Sequence, residues 1–556
     1  MSRALTSGSP LKLIVRFAVP MFIGLLFQQL YQFVDALVVG RVLGMDALAS
    51  VGASGGITFL LLGFTMGMAN GFAIPVARAF GAGDAAGLRR AVAVGAILSA
   101  GMAVLLTVGG IPLARHLLVL LHTPAELLPQ ATTFLTVLLA GSPTLVAFNY
   151  LSGIIRALGD STTPLIFLAI SSLLNVGLVV LLVGWADLGI GGAALATVVA
   201  QLATVVACLW LIARRMPQLR PRHEDWRPAR ADVVESVSIG LPMGFQMSII
   251  AVGTLVLQYA INGLGAGAVA AFTAGSRVDA LAMAPLQALG MAVATYVAQN
   301  RGAAAWSRIR RGVSQTAWLG AGVAVTVGAA CILWGDAIIG SFTATDAHSE
   351  EIIRTAHTLL LVNGTLYSVL ALLFIFRSAL QGLGRSGIPT FSGVMELLLR
   401  SAAALLLVDT LGFLGAVLAA PMAWVGALVP LWWSWELRRR EMGLVADGLP
   451  SPREAAECRR SGRLAPTRAR VRAGVRAGMT AGATVRARVR HRADERARVR
   501  QCGISSAAAL RAGAESAVAL ASGSAAALPP RGTLALPVET GKVPGREHTS
   551  AAARLS

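Results

Sequence analysis

Charge is what this sequence has least of. Only 13% of its 556 residues are Asp, Glu, Lys or Arg, about half the share of a soluble globular chain. With 55% hydrophobic residues and a mean hydropathy of +0.69, a water-soluble enzyme is excluded. Cysteine is nearly absent: Cys208 and Cys331 lie inside apolar stretches, Cys458 and Cys502 far along the chain. Without CxxC or His-rich spacing, neither a disulfide framework nor a metal site is expected. HExxH, GxSxG and GxxxxGK[ST] are missing as well, so the chain is not read as an enzyme or an ATP-driven pump. No cofactor is expected.

What the sequence has instead is apolar length. Twelve stretches of membrane-spanning length lie near 13–38, 52–75, 91–111, 131–153, 164–184, 190–212, 237–260, 276–298, 314–334, 356–380, 390–408 and 412–436. Runs of about 20 apolar residues cross the hydrocarbon as helices, because backbone groups in lipid must bond internally. Leu11–Val39 is too long for a cleaved signal and contains Asp35. Sixty glycines suit close helix packing.

The charges between spans alternate in sign. Odd-numbered connections carry little, or acids such as Asp336, Asp346, Glu350 and Glu351. Even-numbered ones carry Arg78, Arg89 and Arg90, then Arg156, then Arg214 to Arg230, then Arg301 to Arg311, then Arg377 and Arg385. The positive-inside rule then predicts a multi-pass protein of the cell membrane with both termini cytoplasmic. The net charge of +20 is accounted for by topology and anionic lipid, so nucleic acid is not an expected partner.

The spans fall into two copies. Phe17-Ala-Val-Pro20 matches Ile239-Gly-Leu-Pro242, and a shift of roughly 221–225 residues superposes further pieces. Leu43-Gly44 falls on Leu264-Gly265, Gly81-Ala82 on Gly302-Ala303, Arg156–Pro164 on Gln381–Pro389, and Leu188-Gly189 on Leu411-Gly412. The expected fold is an all-α polytopic membrane protein of twelve transmembrane helices in two six-helix, pseudo-symmetric bundles. Its domains are a first lobe over 1–213, a cytoplasmic linker over 214–232, a second lobe over 233–440 and a tail over 441–556. That tail has no Phe, Tyr or Trp and 20 basic against 9 acidic residues. Its low complexity, as in Arg468-Ala-Arg-Val-Arg472, predicts disorder. Duplicated membrane proteins commonly hold a small-molecule path between halves that rock.

Asp35 is the sharpest candidate for chemistry. Gln28, Gln32 and Asp35 share one helix face, bordered by Tyr31, and a polar face of that kind requires a polar cavity. An aspartate at the helix centre costs roughly 2.5–3.5 kcal/mol on insertion scales. The second copy has Val256 or Leu257 at this place, so the fold itself does not require the acid. A desolvated carboxylate exchanges a proton near neutral pH, and it can also ligate Na⁺. Asn175 either supports such a carboxylate or ties two helices together. Glu396 and Arg400, four residues apart in one span, are read first as a mutual pair and second as cavity-lining groups. Arg277 and Asp279 fall near the outer end of the eighth span and are read as interfacial. Gln246 gives the seventh span a polar face, and Met66 and Met243 could line an adaptable pocket or simply pack.

Val34-Asp35-Ala-Leu-Val-Val-Gly40-Arg41-Val-Leu-Gly44, Arg156-Ala-Leu-Gly159-Asp160-Ser-Thr-Thr-Pro164, and Leu174-Asn175 followed by Leu188-Gly189-Ile-Gly-Gly192-Ala-Ala-Leu-Ala-Thr197 resemble the multidrug and toxic compound extrusion (MATE) family over about 10–440. The resemblance implies a V-shaped pair of six-helix bundles that exports amphipathic, often cationic compounds in exchange for H⁺ or Na⁺. It implies a coupling role for Asp35, matched to the family's first-helix aspartate. Two departures stand out: Val179 replaces an acid that one branch carries, and Pro242–Ala260 contains none of the acid another branch has in its seventh helix. With several hard ligands missing, H⁺ is expected as the coupling ion rather than Na⁺. The expected partners are small amphipathic substrates and membrane lipid, with the chain monomeric. A flippase for lipid-linked or polyprenyl substrates is the alternative, disfavoured by the few cations inside the spans. A membrane enzyme and a non-transporting scaffold are further readings.

Overall fold

The computed structural model describes residues 4–121, 123–340 and 349–446. The side chains of residues 31–33, 35, 36, 45, 48 and 349 fall outside that description. Among the described residues there is no strand, and the α-helices are α1 (Pro10–Leu43), α2 (Met45–Ala82), α3 (Ala85–Leu120), α4 (Leu128–Ala140), α5 (Ser142–Ala157), α6 (Thr162–Val179), α7 (Gly189–Arg215), α8 (Arg230–Asn262), α9 (Ala266–Gly302), α10 (Trp306–Gly340), α11 (Ser349–Gly382), α12 (Gly387–Leu411) and α13 (Phe413–Ala446).

Among the described residues eleven helices are long and apolar enough to cross a membrane, and α4 and α5, bent by 49° at Gly141, supply a twelfth if the pair is one span. The bend has a local cause: Pro143 lies in the first turn of α5, where it is favoured, and cannot continue the hydrogen bonding of α4. The sequence reading of 131–153 as one span thus covers a broken helix. Helices also outrun their apolar windows. The span read at 52–75 belongs to a helix running from Met45 to Ala82. Hydropathy reports the hydrocarbon thickness, whereas a helix keeps its backbone bonds into the polar interface.

The repeat has a backbone basis. Gly44 and Gly265, which end the first helix of each copy, adopt φ of 87° and 95°, and Gly189 and Gly412 adopt 55° and 56°. Such left-handed conformations favour glycine, which explains why both copies retain it there.

Each lobe has its own core. In the first, α2, α3 and α5 surround Phe72, Val92, Tyr150 and Ile155; in the second, α9, α10, α11 and α13 surround Leu286, Tyr296, Tyr367 and Trp424. The lobes meet through α2 on α8 and α9, and through α1 on α9 and α10. Ile14, Phe17, Ala18 and Met21 of α1 are buried in the second lobe's core.

Two connections are packed onto the lobes. The linker lies against the first lobe: Asp225 is buried and accepts from Arg89 Nε at 3.2 Å, and Met216 and Leu219 join the first lobe's core. At the other boundary, α13 continues past residue 440 to Ala446, with Met442 and Gly443 buried. Residues 447–556, nearly all of the tail, lie outside the described residues.

Candidate functional site: the seam between lobes and a polar group in each lobe

The seam is tightest at the end of the bundle where α1 begins. There α2 and α9 cross at glycines related by the repeat. A Cβ on Gly81 would run into the Gln299 carbonyl oxygen, and one on Gly302 into that of Arg78. Arg78 of α2 and Glu235 of α8 form a two-bond ion pair across the seam. Gln299, fully buried, ties three segments: its Nε2 donates to Ala157 O of α5 at 2.7 Å, and its Oε1 accepts from Leu5 N at 2.7 Å. Asn300 Nδ2 donates to Leu5 O at 3.2 Å and Arg308 Nη1 to Gly8 O at 2.8 Å. The residues preceding α1 are thereby strapped to the second lobe. A cavity of about 410 Å³ beside this seam is lined by Arg78, Arg90, Asp232, Glu235, Arg301 and Trp306. Its charged wall suits water and ions better than an amphipathic guest.

Alternating access would require this seam to open and reclose, so the two crossing glycines give a test. Gly81→Val and Gly302→Val are expected to disfavour the closed seam by about 1–3 kcal/mol, the usual cost of overpacking. In a cysteine-free background, a cysteine at Ser236 should then react faster with an impermeant thiol reagent than in the parent. An unchanged rate in both variants would refute the seam's role.

In the first lobe the polar group is centred on Asn175. The amide is buried in α6, and its Nδ2 donates to Thr197 Oγ1 of α7 at 3.0 Å. Its Oδ1 is buried with no partner, a loss of about 1–3 kcal/mol unless a guest supplies a donor or cation. The side chains of Asp35, Tyr31 and Gln32 lie outside the described residues, but the backbone fixes the level of position 35. A Cβ at Gly24 would stand 3.7 Å from Leu165 Cδ1, and Val39 packs in one cluster with Val179 and Ala193. α1 and α6 therefore run parallel and in step, so position 35, one turn before Val39, stands level with Asn175, one turn before Val179. Gln28 is half-buried, about two turns before position 35 on α1.

The second lobe's polar group is different. Glu396 of α12 is buried and held twice, by Arg400 Nη2 at 2.8 Å and by Arg377 Nη2 of α11 at 2.7 Å. The expected Glu396–Arg400 pair is present, but sequence reasoning missed Arg377, the third member. Gln246 of α8 is fully buried, accepting from Gln381 Nε2 at 2.8 Å. Met243 is buried in the first lobe's core beside Met68 and Phe72, and Met66 is half-buried on α2. The shift of 225 that aligns Arg156–Pro164 with Gln381–Pro389 sets Arg400 opposite Asn175. One lobe thus has an amide where the other has a fixed cation.

Asp279 corrects an expectation. It is not interfacial but buried, accepting from Tyr367 Oη at 2.6 Å and Asn363 Nδ2 at 2.9 Å. The i, i+4 spacing of Asn363 and Tyr367 within an apolar span was the signal that could have exposed it. Among the described residues no group of three His, Cys, Asp or Glu could hold a metal ion.

The comparisons with known proteins agree with this architecture. The family model MatE matches residues 20–181 and 242–406, one match in each lobe. The chain is 31% identical over 299 residues to a probable multidrug resistance protein, YpnP, of Bacillus subtilis, covering 53% of this chain and 66% of that protein. It is 30% identical over 385 residues to the probable multidrug resistance protein NorM of Bradyrhizobium diazoefficiens, covering 66% of this chain and 80% of NorM. A crystal structure of MATE in complex with MaL6 superposes with a TM-score of 0.73 at 24% identity, over 79% of this chain and 98% of that one. The chain belongs to the MATE family of multi-pass membrane transporters.

Proposed function

We propose that this protein is a secondary antiporter that exports amphipathic, often cationic small molecules in exchange for protons, with both termini in the cytoplasm. The observation that carries the reading is the unpartnered, buried Oδ1 of Asn175, level with position 35 of α1. A carboxyl at that level would exchange a proton with water, because the low dielectric opposes its charged form while the amide oxygen can accept a hydrogen bond from its protonated form. In this reading Asp35 takes the proton, Asn175 and Thr197 position it, and Gln28, Gln32 and Tyr31 line the path. Met66 contributes an adaptable apolar surface. The relatives' names, probable multidrug resistance proteins, support the substrate class. A lipid-linked substrate is less well supported, since Arg377 and Arg400 are both engaged by Glu396 and do not form a cation-rich cavity.

The test is efflux of a cationic dye from proteoliposomes under an imposed pH gradient without Na⁺, then under a Na⁺ gradient at equal pH. Efflux is expected only in the first condition. Efflux driven only by Na⁺ would overturn the choice of ion, and efflux in neither would overturn antiport.

A further inference from the structure

Asp279 sits on α9 where α10 and α11 pack against it. Its Oδ1 takes both available hydrogen bonds, from Tyr367 and from Asn363. No ion pair is formed, in contrast to Glu396, which two guanidiniums grip. The titratable and charged groups acting on Asp279 are Tyr367 of α11, Cys331 of α10 and, without a bond, Arg400 of α12. From α1, α2 and α8 no described charged group adds to these. Asn363 Oδ1 is buried without a partner.

These facts fit one chemical event. A protonated carboxyl and a primary amide close a two-bond ring, with N–H to one carboxyl oxygen and O–H to the amide oxygen. The first bond is present at 2.9 Å, and the acceptor for the second is the orphan. Leaving a buried acceptor empty costs about 1–3 kcal/mol, so adding the proton repairs a defect rather than creating one.

We propose that Asp279 and Asn363 form a proton-binding site of the second lobe. The proton enters from water onto Asp279 Oδ2, whose O–H then donates to Asn363 Oδ1, while Tyr367 keeps its bond to Oδ1. No other bond is made or broken. Proton loading also changes the sign of the lobe's interior. With Asp279 ionised, Arg377, Arg400, Glu396 and Asp279 sum to zero; with it neutral they sum to one positive charge. A bound proton therefore repels a cationic substrate and a departing one readmits it, which is the exchange an antiporter needs. This consequence rests on the antiport reading above; the site itself does not.

The experiment is infrared difference spectroscopy on the full chain in lipid nanodiscs, between alkaline and acidic buffer, with no substrate and no gradient. A protonated-carboxyl carbonyl band is expected that is lost in Asp279→Asn and kept in Asp35→Asn. In Tyr367→Phe and Asn363→Leu it should persist but move to higher frequency, because a hydrogen bond to the carbonyl oxygen is gone. A spectrum unchanged in Asp279→Asn, or a band that does not move in a properly inserted Tyr367→Phe, would overturn the site. Since no transport is measured, a failure of antiport would appear in the proteoliposomes and leave this band in place.

Discussion

Asp35→Asn is expected to abolish gradient-driven export, with drug resistance in cells falling to the level of an empty vector at matched protein amount. The carboxyl is the group that can change charge at the level of Asn175, and an amide of the same size cannot. Insertion and folding should survive, since the second copy tolerates Val256 or Leu257 at the matching place. Binding of a cationic substrate in detergent should weaken, because Asn resembles the neutral, protonated carboxyl, the form in which an antiporter releases its substrate. Full resistance in the variant would remove Asp35 from the mechanism.

The fold was legible because its determinants are periodic or local. Apolar length gives the spans, and the repeat-related Gly44 and Gly265 owe their retention to backbone conformation. The break at Gly141 was harder to see, since an apolar run on both sides hides the change of direction. The second lobe's polar interior was legible only in part. Glu396 and Arg400 share a helix face, so spacing paired them. Arg377 reaches Glu396 from another helix, and nothing in its own neighbourhood announces that contact. Asp279 was misplaced for a related reason: beside Arg277 near a helix end it reads as an interface pair, and only the packing of α11 along α9 brings Asn363 and Tyr367 to it. Local chemistry is written in sequence; pairing between helices is set by packing.

Glu396→Ala is expected to be the most destabilising single change in the second lobe. The carboxylate bonds both buried guanidiniums, and its removal leaves Arg377 and Arg400 without their ion-pair partner. Breaking a buried pair from one side costs about 3–5 kcal/mol, and here two partners are orphaned at once. Thermal unfolding in detergent should show a clear loss in Tm, and Glu396→Gln, which keeps the acceptor oxygen but not the charge, should lie between. The triple change Arg377→Met, Glu396→Leu, Arg400→Leu separates structure from function. Replacing a whole buried ion group by apolar residues of similar volume is often neutral or stabilising by about 1–4 kcal/mol, because no charge then has to be desolvated. If the triple variant regains stability and export together, the group is a packing solution only. Regained stability without export would show that the second lobe needs its fixed charges, as expected if Asp279 tips their sum from zero to positive when it takes a proton.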